Sequence, residues 1–255
     1  MQAKQNTLYV GALAKGLKIL RVFDESNTSM SLIELAEKSG LDKSATQRLA
    51  NTLYVEGMLN KDEQTRRYSP SHAWLQMAFA YSMSDRLISN ALPRLIDLSQ
   101  QIGQTVNLSE QSGEQIIYVY RLPCKRSKFS SSVVGRSAHA LNTTGGRAML
   151  STYALEQRLH AIKTWPLEKY TINTTTDRNK IKTSVEHAVE EGFCIAKDQI
   201  MLNELAVSAP IISADGIARS AVQCSVSAQT WDEQRLREQI VPHLLDTANA
   251  IAPTL

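Results

Sequence analysis

The chain has 255 residues, 43% hydrophobic and 21% charged, with 28 Lys and Arg against 25 Asp and Glu for a formal net charge of +3. That is ordinary globular material, enough for one large or two modest cores, and the small positive charge permits a polyanion partner without indicating one. Three widely spaced cysteines without a CxxC pair exclude a disulfide framework and a zinc finger, and no run approaches the roughly 20 apolar residues of a membrane span, so a cytoplasmic protein with no membrane partner is expected.

Val10 to Phe23 carries Leu13, Leu17, Leu20 and Val22 to Phe23 at near-helical spacing, with Lys15, Lys18 and Arg21 on the polar side, and predicts an amphipathic first helix. Ser31-Leu-Ile-Glu34 is a capping box, and Gly40 supplies the left-handed residue that ends a short second helix. Asp42 is an N-cap for a third helix with Ala45, Leu49, Thr52 and Leu53 on one side. Glu56 to Tyr68 reads as two short strands around a polar turn, a wing. A helical pattern from Ser71 to roughly Ser89 follows as a connector, and Pro93 marks the start of another helix ending near Gly103.

Beyond it the texture becomes α+β. Alternating strands are expected at Thr105 to Ser109 and Gln115 to Arg121, then a helix Arg178 to Glu191 stopped by Gly192. Strands Glu204 to Ile212 and Ile217 to Ser227 join at Ala214-Asp215-Gly216, and a closing helix runs from Trp231 to about Ile251. The order suggests an antiparallel sheet flanked by helices. The expected domains are residues 1–70, a connector at 71–90, and 91–255.

With Ala45, Leu49 and Leu53 inward, helical geometry turns Lys43, Ser44, Gln47, Asn51 and Tyr54 outward and leaves Thr46 and Arg48 on the flanks. Gln and Asn can bond an adenine edge in two places, Ser and Thr serve base or phosphate, and Lys or Arg neutralise phosphate or read guanine. Arg66 and Arg67 of the wing are placed to follow the DNA backbone. Alone, a polar helix face is more simply a solvated one. Here a capping box, a Gly-bounded turn, an acid-poor outer face and a basic hairpin follow in order, which favours double-stranded DNA as partner.

The stretch from Ser31 to Ser69, SLIELAEKSGLDKSATQRLANTLYVEGMLNKDEQTRRYS, resembles the winged helix-turn-helix of the IclR family of bacterial transcription regulators, as does Tyr9-Val-Gly-Ala-Leu-Ala-Lys-Gly-Leu-Lys-Ile-Leu. Ala45 stands where the family usually has threonine. The likeness continues through Val134-Gly135-Arg136-Ser137 to Leu150, Glu190-Glu191-Gly192-Phe193 and Leu205 to Gly216. It implies a GAF-like sensor domain and an operator-binding regulator modulated by a small molecule.

Asn142-Thr143-Thr144-Gly145-Gly146 is the most site-like stretch: hydroxyls, a carboxamide and free amides before a helix suit a carboxylate, and suit capping of that helix equally well. The resemblance favours a ligand, a small organic acid. It also implies that Leu205, Ala206 and Ser208, Asn107 or Ser109, and Cys224 or Ser225 close the cavity. His139, Ala196 and Glu204 depart from the family pattern, which points to a ligand of its own.

The alternative is a small-molecule-converting enzyme with a nucleic-acid-binding module. Its parts are absent from the sequence, which has no GxSxG elbow, no Walker loop, no HExxH and only scattered histidines. No catalytic residue, metal or cofactor is expected. One recognition helix covers few base pairs, so a homodimer or dimer of dimers is expected, with the connector as its contact.

Overall fold

The computed structural model describes residues 8–124 and 133–252 and divides into two compact units between Met83 and Ser84. In the first unit, α1 (Gly11–Leu20), α2 (Leu32–Ser39) and α3 (Lys43–Val55) precede a hairpin of β1 (Leu59–Lys61) and β2 (Tyr68–Pro70), and α4 (Ala73–Ser84) closes it. The helix α1 stops short of Phe23 because the Asp24 carboxylate accepts from the backbone amides of Ser26 and Asn27, both at 2.8 Å, and draws the chain into a turn. Phe23 still joins the core with Ile19, Met30, Leu35, Ala50, Leu59 and Tyr68. The capping box of α2 is complete: Ser31 N donates to Glu34 Oε2 at 2.7 Å, and Glu34 N donates to Ser31 Oγ at 3.3 Å. Gly40 ends the helix at φ +62°, where a side chain would be strained.

The second unit starts with α5 (Arg86–Ile102), capped by Asp85, whose carboxylate accepts from Ile88 N at 2.9 Å. The expected continuous connector helix is therefore interrupted at Asp85, and Pro93 lies inside α5 instead of opening it. The missing amide is tolerated because Leu87, Ile88, Ala91, Leu95 and Leu98 are buried along one face of the helix; burial of a leucine contributes roughly 1.5–3 kcal/mol.

The elements β3 (Thr105–Ser112), β4 (Gln115–Leu122) and β5 (Ser137–His139) follow, then a single 3-10 turn at Ala140–Asn142, α6 (Thr144–Ser151), α7 (Leu155–Thr164) and α8 (Arg178–Glu191). The chain ends with β6 (Cys194–Lys197), β7 (Glu204–Ile212), β8 (Ala218–Ser227), α9 (Glu233–Gln239) and α10 (Val241–Ile251). The expected single closing helix is broken at Ile240, ahead of Pro242, which cannot donate to the preceding turn.

The six strands form one antiparallel sheet in the order β5-β4-β3-β8-β7-β6. One face carries Val106, Leu108, Leu205, Val207, Val222 and Cys224 into the main core with α5 and α10. The other face meets α6, all of whose residues are buried. The glycines allow that approach. A Cβ on Gly146 would lie 2.2 Å from the backbone oxygen of Ala140, and one on Gly145 would lie 3.0 Å from Ser109 Oγ.

Candidate functional site

The helix α3 begins where Asp42 Oδ1 accepts from Ala45 N at 2.8 Å. Lys43, Ser44, Gln47, Arg48 and Asn51 are exposed along it. Thr46 is not. It is 0% exposed, and its hydroxyl donates to the Asp42 carbonyl at 2.9 Å, so it belongs to the core and not to the outer flank. The inward stripe centres on Thr46 and Ala50 with Leu49 and Leu53 beside them, which rotates the helix from the expected setting and leaves Thr52 exposed.

In the wing, Asp62 Oδ1 accepts from the amides of Gln64 and Thr65 at 3.0 and 2.6 Å, and Arg66 takes the left-handed conformation at φ 58°. Arg66 is exposed at the tip. Arg67, expected to serve phosphate in the same way, is engaged inside the unit. Its Nη2 lies 2.9 Å from Glu34 Oε2 and donates to the Ser29 carbonyl at 2.6 Å, and its Nε donates to Ser29 Oγ at 3.3 Å. The Glu34 carboxyl is held down at about 2, first by the Ser31 backbone amide, then by the Ser31 hydroxyl and by Arg67.

In the second unit two adjoining recesses share Tyr118, Ile200, Glu204 and Gln223 as walls. The larger adds Asn107, Arg121 and Arg136, and the smaller adds Thr143, Thr144 and Ala206. Arg121 Nη1 donates to Asn107 Oδ1 at 3.0 Å. Burial pushes the Glu204 carboxyl above its ordinary range, against the opposite pull of the Ser225 hydroxyl, Arg121 and Arg136. Burial likewise pushes the Tyr118 phenol up, so it stays neutral. Gln223 is 4% exposed; its Nε2 donates to Ser225 Oγ at 3.0 Å, and its Oε1 meets no hydrogen-bond partner among the described residues.

Of the residues expected to line a cavity, Asn107, Thr143, Thr144 and Ala206 do so. Ser208 Oγ is 2.7 Å from Thr144 Oγ1, tying β7 to the first turn of α6. Ser109 is fully buried beneath Gly145. Asn142 is used internally, accepting from Glu168 N at 3.0 Å and donating to the Thr175 carbonyl at 3.4 Å.

Leu205 and Cys224 fall on the far face of the sheet, in the main core, because strand side chains alternate and their neighbours Glu204, Ala206, Gln223 and Ser225 take the recess face. Nor does α6 open with unpaired amides at Gly146. It starts at Thr144, and Gly146 N donates to Thr143 Oγ1 at 2.9 Å while that hydroxyl donates to the Ala140 carbonyl at 3.0 Å.

Sequence reasoning missed Tyr118, Arg121, Arg136, Glu204 and Gln223 as wall residues. For two of them, Glu204 and Gln223, a signal existed. Glu204 and Ser208, and Gln223 and Ser225, stand an even number of positions apart in strands whose intervening residues Leu205, Val207 and Cys224 are apolar; the cross-strand pairing of Arg121 with Asn107 is visible only in the structure.

A winged helix with a polar, acid-free recognition helix, together with a GAF-like α+β unit holding a polar recess, defines a DNA-binding protein with a sensor domain. The model described as the bacterial transcriptional regulator IclR C-terminal domain matches residues 79–253, and the IclR helix-turn-helix domain matches residues 12–63. The chain belongs to the IclR family of transcriptional regulators, and it is a regulator and not an enzyme.

Among its relatives is the p-hydroxybenzoate hydroxylase transcriptional activator of Acinetobacter baylyi, 26% identical over 95% of this chain and 91% of that protein. The transcriptional repressor IclR of Escherichia coli K12 is 25% identical over 90% of this chain and 84% of its own length. The fold is shared with an IclR transcriptional regulator of Alicyclobacillus acidocaldarius (TM-score 0.84, 20% identity, 96% of this chain and 99% of that one). It is also shared with an IclR homolog of Microbacterium hydrocarbonoxydans crystallised with 4-hydroxybenzoate (TM-score 0.77, 20% identity, 96% and 98% covered).

Proposed function

We propose that α3 reads operator DNA in the major groove through Lys43, Ser44, Gln47, Arg48 and Asn51, with Arg66 on the adjacent backbone, and that a small organic acid in the recess sets operator affinity. The observation that carries the acid is the pair of arginines, Arg121 and Arg136, in the wall of the recess. A guanidinium offers a planar fork that matches a carboxylate. This moves the anion site from the start of α6, whose amide is capped by Thr143, to the arginine end of the cavity. Among the described residues no group of three or more His, Cys, Asp or Glu is placed to hold a metal.

The regulator works in the cytoplasm as a homodimer or dimer of dimers. Palindromic operators need two recognition helices, and α4 presents Leu75, Met77, Phe79 and Met83 at 61–73% exposure while burying none of its residues. No helix among the described residues is long and apolar enough to cross a membrane.

The test is fluorescence anisotropy of the full chain on DNA from upstream of its own gene, with and without acids selected by thermal shift. An acid at 100 times its dissociation constant should stabilise the protein that binds it by about 2.7 kcal/mol. The selected acid should change operator affinity in the wild type and have no effect in the Arg121→Met/Arg136→Met variant. A ligand has to bind two conformations differently to alter DNA affinity, so an acid that binds without altering it would refute the regulatory reading.

A further inference from the structure

The basic side of α1 has no part in the function proposed above. Lys15 and Lys18 are exposed on this helix, and no Asp or Glu precedes Asp24 in the chain. Neither lysine side chain has a hydrogen-bond or ion-pair partner among the described residues. Lys18 Nζ lies 3.5 Å from where a Cβ on Gly40 would stand, so its ammonium rests against the turn that joins α2 to α3. Gly40 is followed there by Leu41 and by Asp42, the N-cap of α3.

A cation at this turn could serve the negative end of α2, but that end is already served. The Ala36 carbonyl accepts from Leu41 N and the Glu37 carbonyl from Gly40 N, each at 3.2 Å, and Lys38 stands in the last turn. What Lys18 does adjoin is the start of the recognition helix. In a helix-turn-helix the first residues of that helix approach the base edges, which brings the phosphates bordering the groove past the turn before it. An exposed ammonium without an internal partner can take a phosphate there and give up no contact within the protein. Lys15 lies at the i, i+3 spacing that makes the two side chains neighbours on the helix surface.

We propose that Lys15 and Lys18 of α1 form a further phosphate-binding surface, separate from α3 and the wing, which holds the backbone of duplex DNA beside the start of α3. The contact is independent of sequence, because phosphates are the same at every base pair. It rests on the reading of α3 given above and extends the protein's footprint on DNA to a third element.

Anisotropy titrations of the full chain test this on a duplex from upstream of its own gene and on a scrambled duplex of the same composition. Two lost phosphate contacts reduce the slope of log K against log salt by about two, so between about 50 and about 200 mM salt the wild type should lose roughly tenfold more affinity than Lys15→Gln/Lys18→Gln, on both duplexes alike. Discrimination between the duplexes and the thermal midpoint should not change, and Lys15→Arg/Lys18→Arg should keep the wild-type slope. Lys15→Gln alone should reduce the slope by about one, and it decides the matter where the double variant does not fold. A slope equal to that of the wild type would overturn the α1 surface and leave the reading of α3 standing. A lowered midpoint with an unchanged slope would do the same and assign Lys18 to the end of α2. A wild type that binds neither duplex would overturn both.

Discussion

Arg67 reaches back from β2's entrance to Glu34, its Nη2 2.9 Å from the carboxylate that also closes the capping box of α2. The wing and the start of α2 are thereby held together by one acid, and the two adjacent wing arginines have different tasks. Arg66→Ala should weaken binding to all DNA sequences alike and reduce the salt slope by about one. Arg67→Ala should lower the thermal midpoint of the protein, with a smaller change in salt slope. Anisotropy titrations across a salt series, with melting curves for both variants, check this. Equal loss of slope in the two would show that Arg67 contacts phosphate directly.

The Glu34 carboxyl, held at about 2 in the folded chain, gives this contact a defined pH dependence. A depressed folded value contributes stability that is fully present above the unfolded value, about 4.3, and is lost as pH falls towards 2. Between those limits the wild type should destabilise more steeply than Glu34→Gln. Circular dichroism melts from pH 5 to pH 2 supply the comparison, and parallel curves would dissociate Glu34 from acid sensitivity.

On α3, Gln47→Ala and Asn51→Ala should each cost roughly 1–3 kcal/mol of operator affinity and relax base preference. Thr46→Val is the internal control. Its hydroxyl bonds only the Asp42 carbonyl beneath the helix surface, so operator affinity should hold. Competition titrations with single-base operator variants measure both effects, and lost affinity in Thr46→Val at unchanged stability would return that residue to the DNA face.

The contact of α6 with the 3-10 turn before it should be intolerant of a single methyl group. Gly146→Ala places its Cβ against the backbone of Ala140, which has to shift, and should cost about 1–3 kcal/mol despite the better helix propensity of alanine. Gly145→Ala approaches the Ser109 hydroxyl at 3.0 Å, with Ile116 and Ser208 at ordinary contact distance, all of them side chains, and should cost less. Denaturant midpoints rank the two, and the reverse order would mean that the turn and α6 are less closely packed than described.

Phe79, 66% exposed on α4, should lie in the subunit contact. Phe79→Asp is expected to shift the protein to monomer at micromolar concentration and to weaken operator binding by losing the second recognition helix. Light scattering on both proteins decides it; a wild type that is already monomeric would remove the dimer from the mechanism.

The sequence by itself determined the elements that depend on local chemistry. Ser31, Glu34, Gly40 and Asp42 bound two helices whatever lies around them, because caps and left-handed glycines satisfy backbone groups within a few residues. Strand alternation likewise placed β7 and β8, and the resemblance carried by residues 31–69 named the family. Only the tertiary structure decided which face of each element is used. Thr46 turns inward because the core rotates α3 past the setting its apolar residues suggested, and Leu205 and Cys224 pass to the far side of the sheet. Arg121, Arg136, Glu204 and Gln223 are as much as 102 positions apart in the chain and become one cavity wall only when β3, β4, β7 and β8 pair in this register. Pairing between distant strands is set by burial summed over the whole sheet, which no short window of sequence contains.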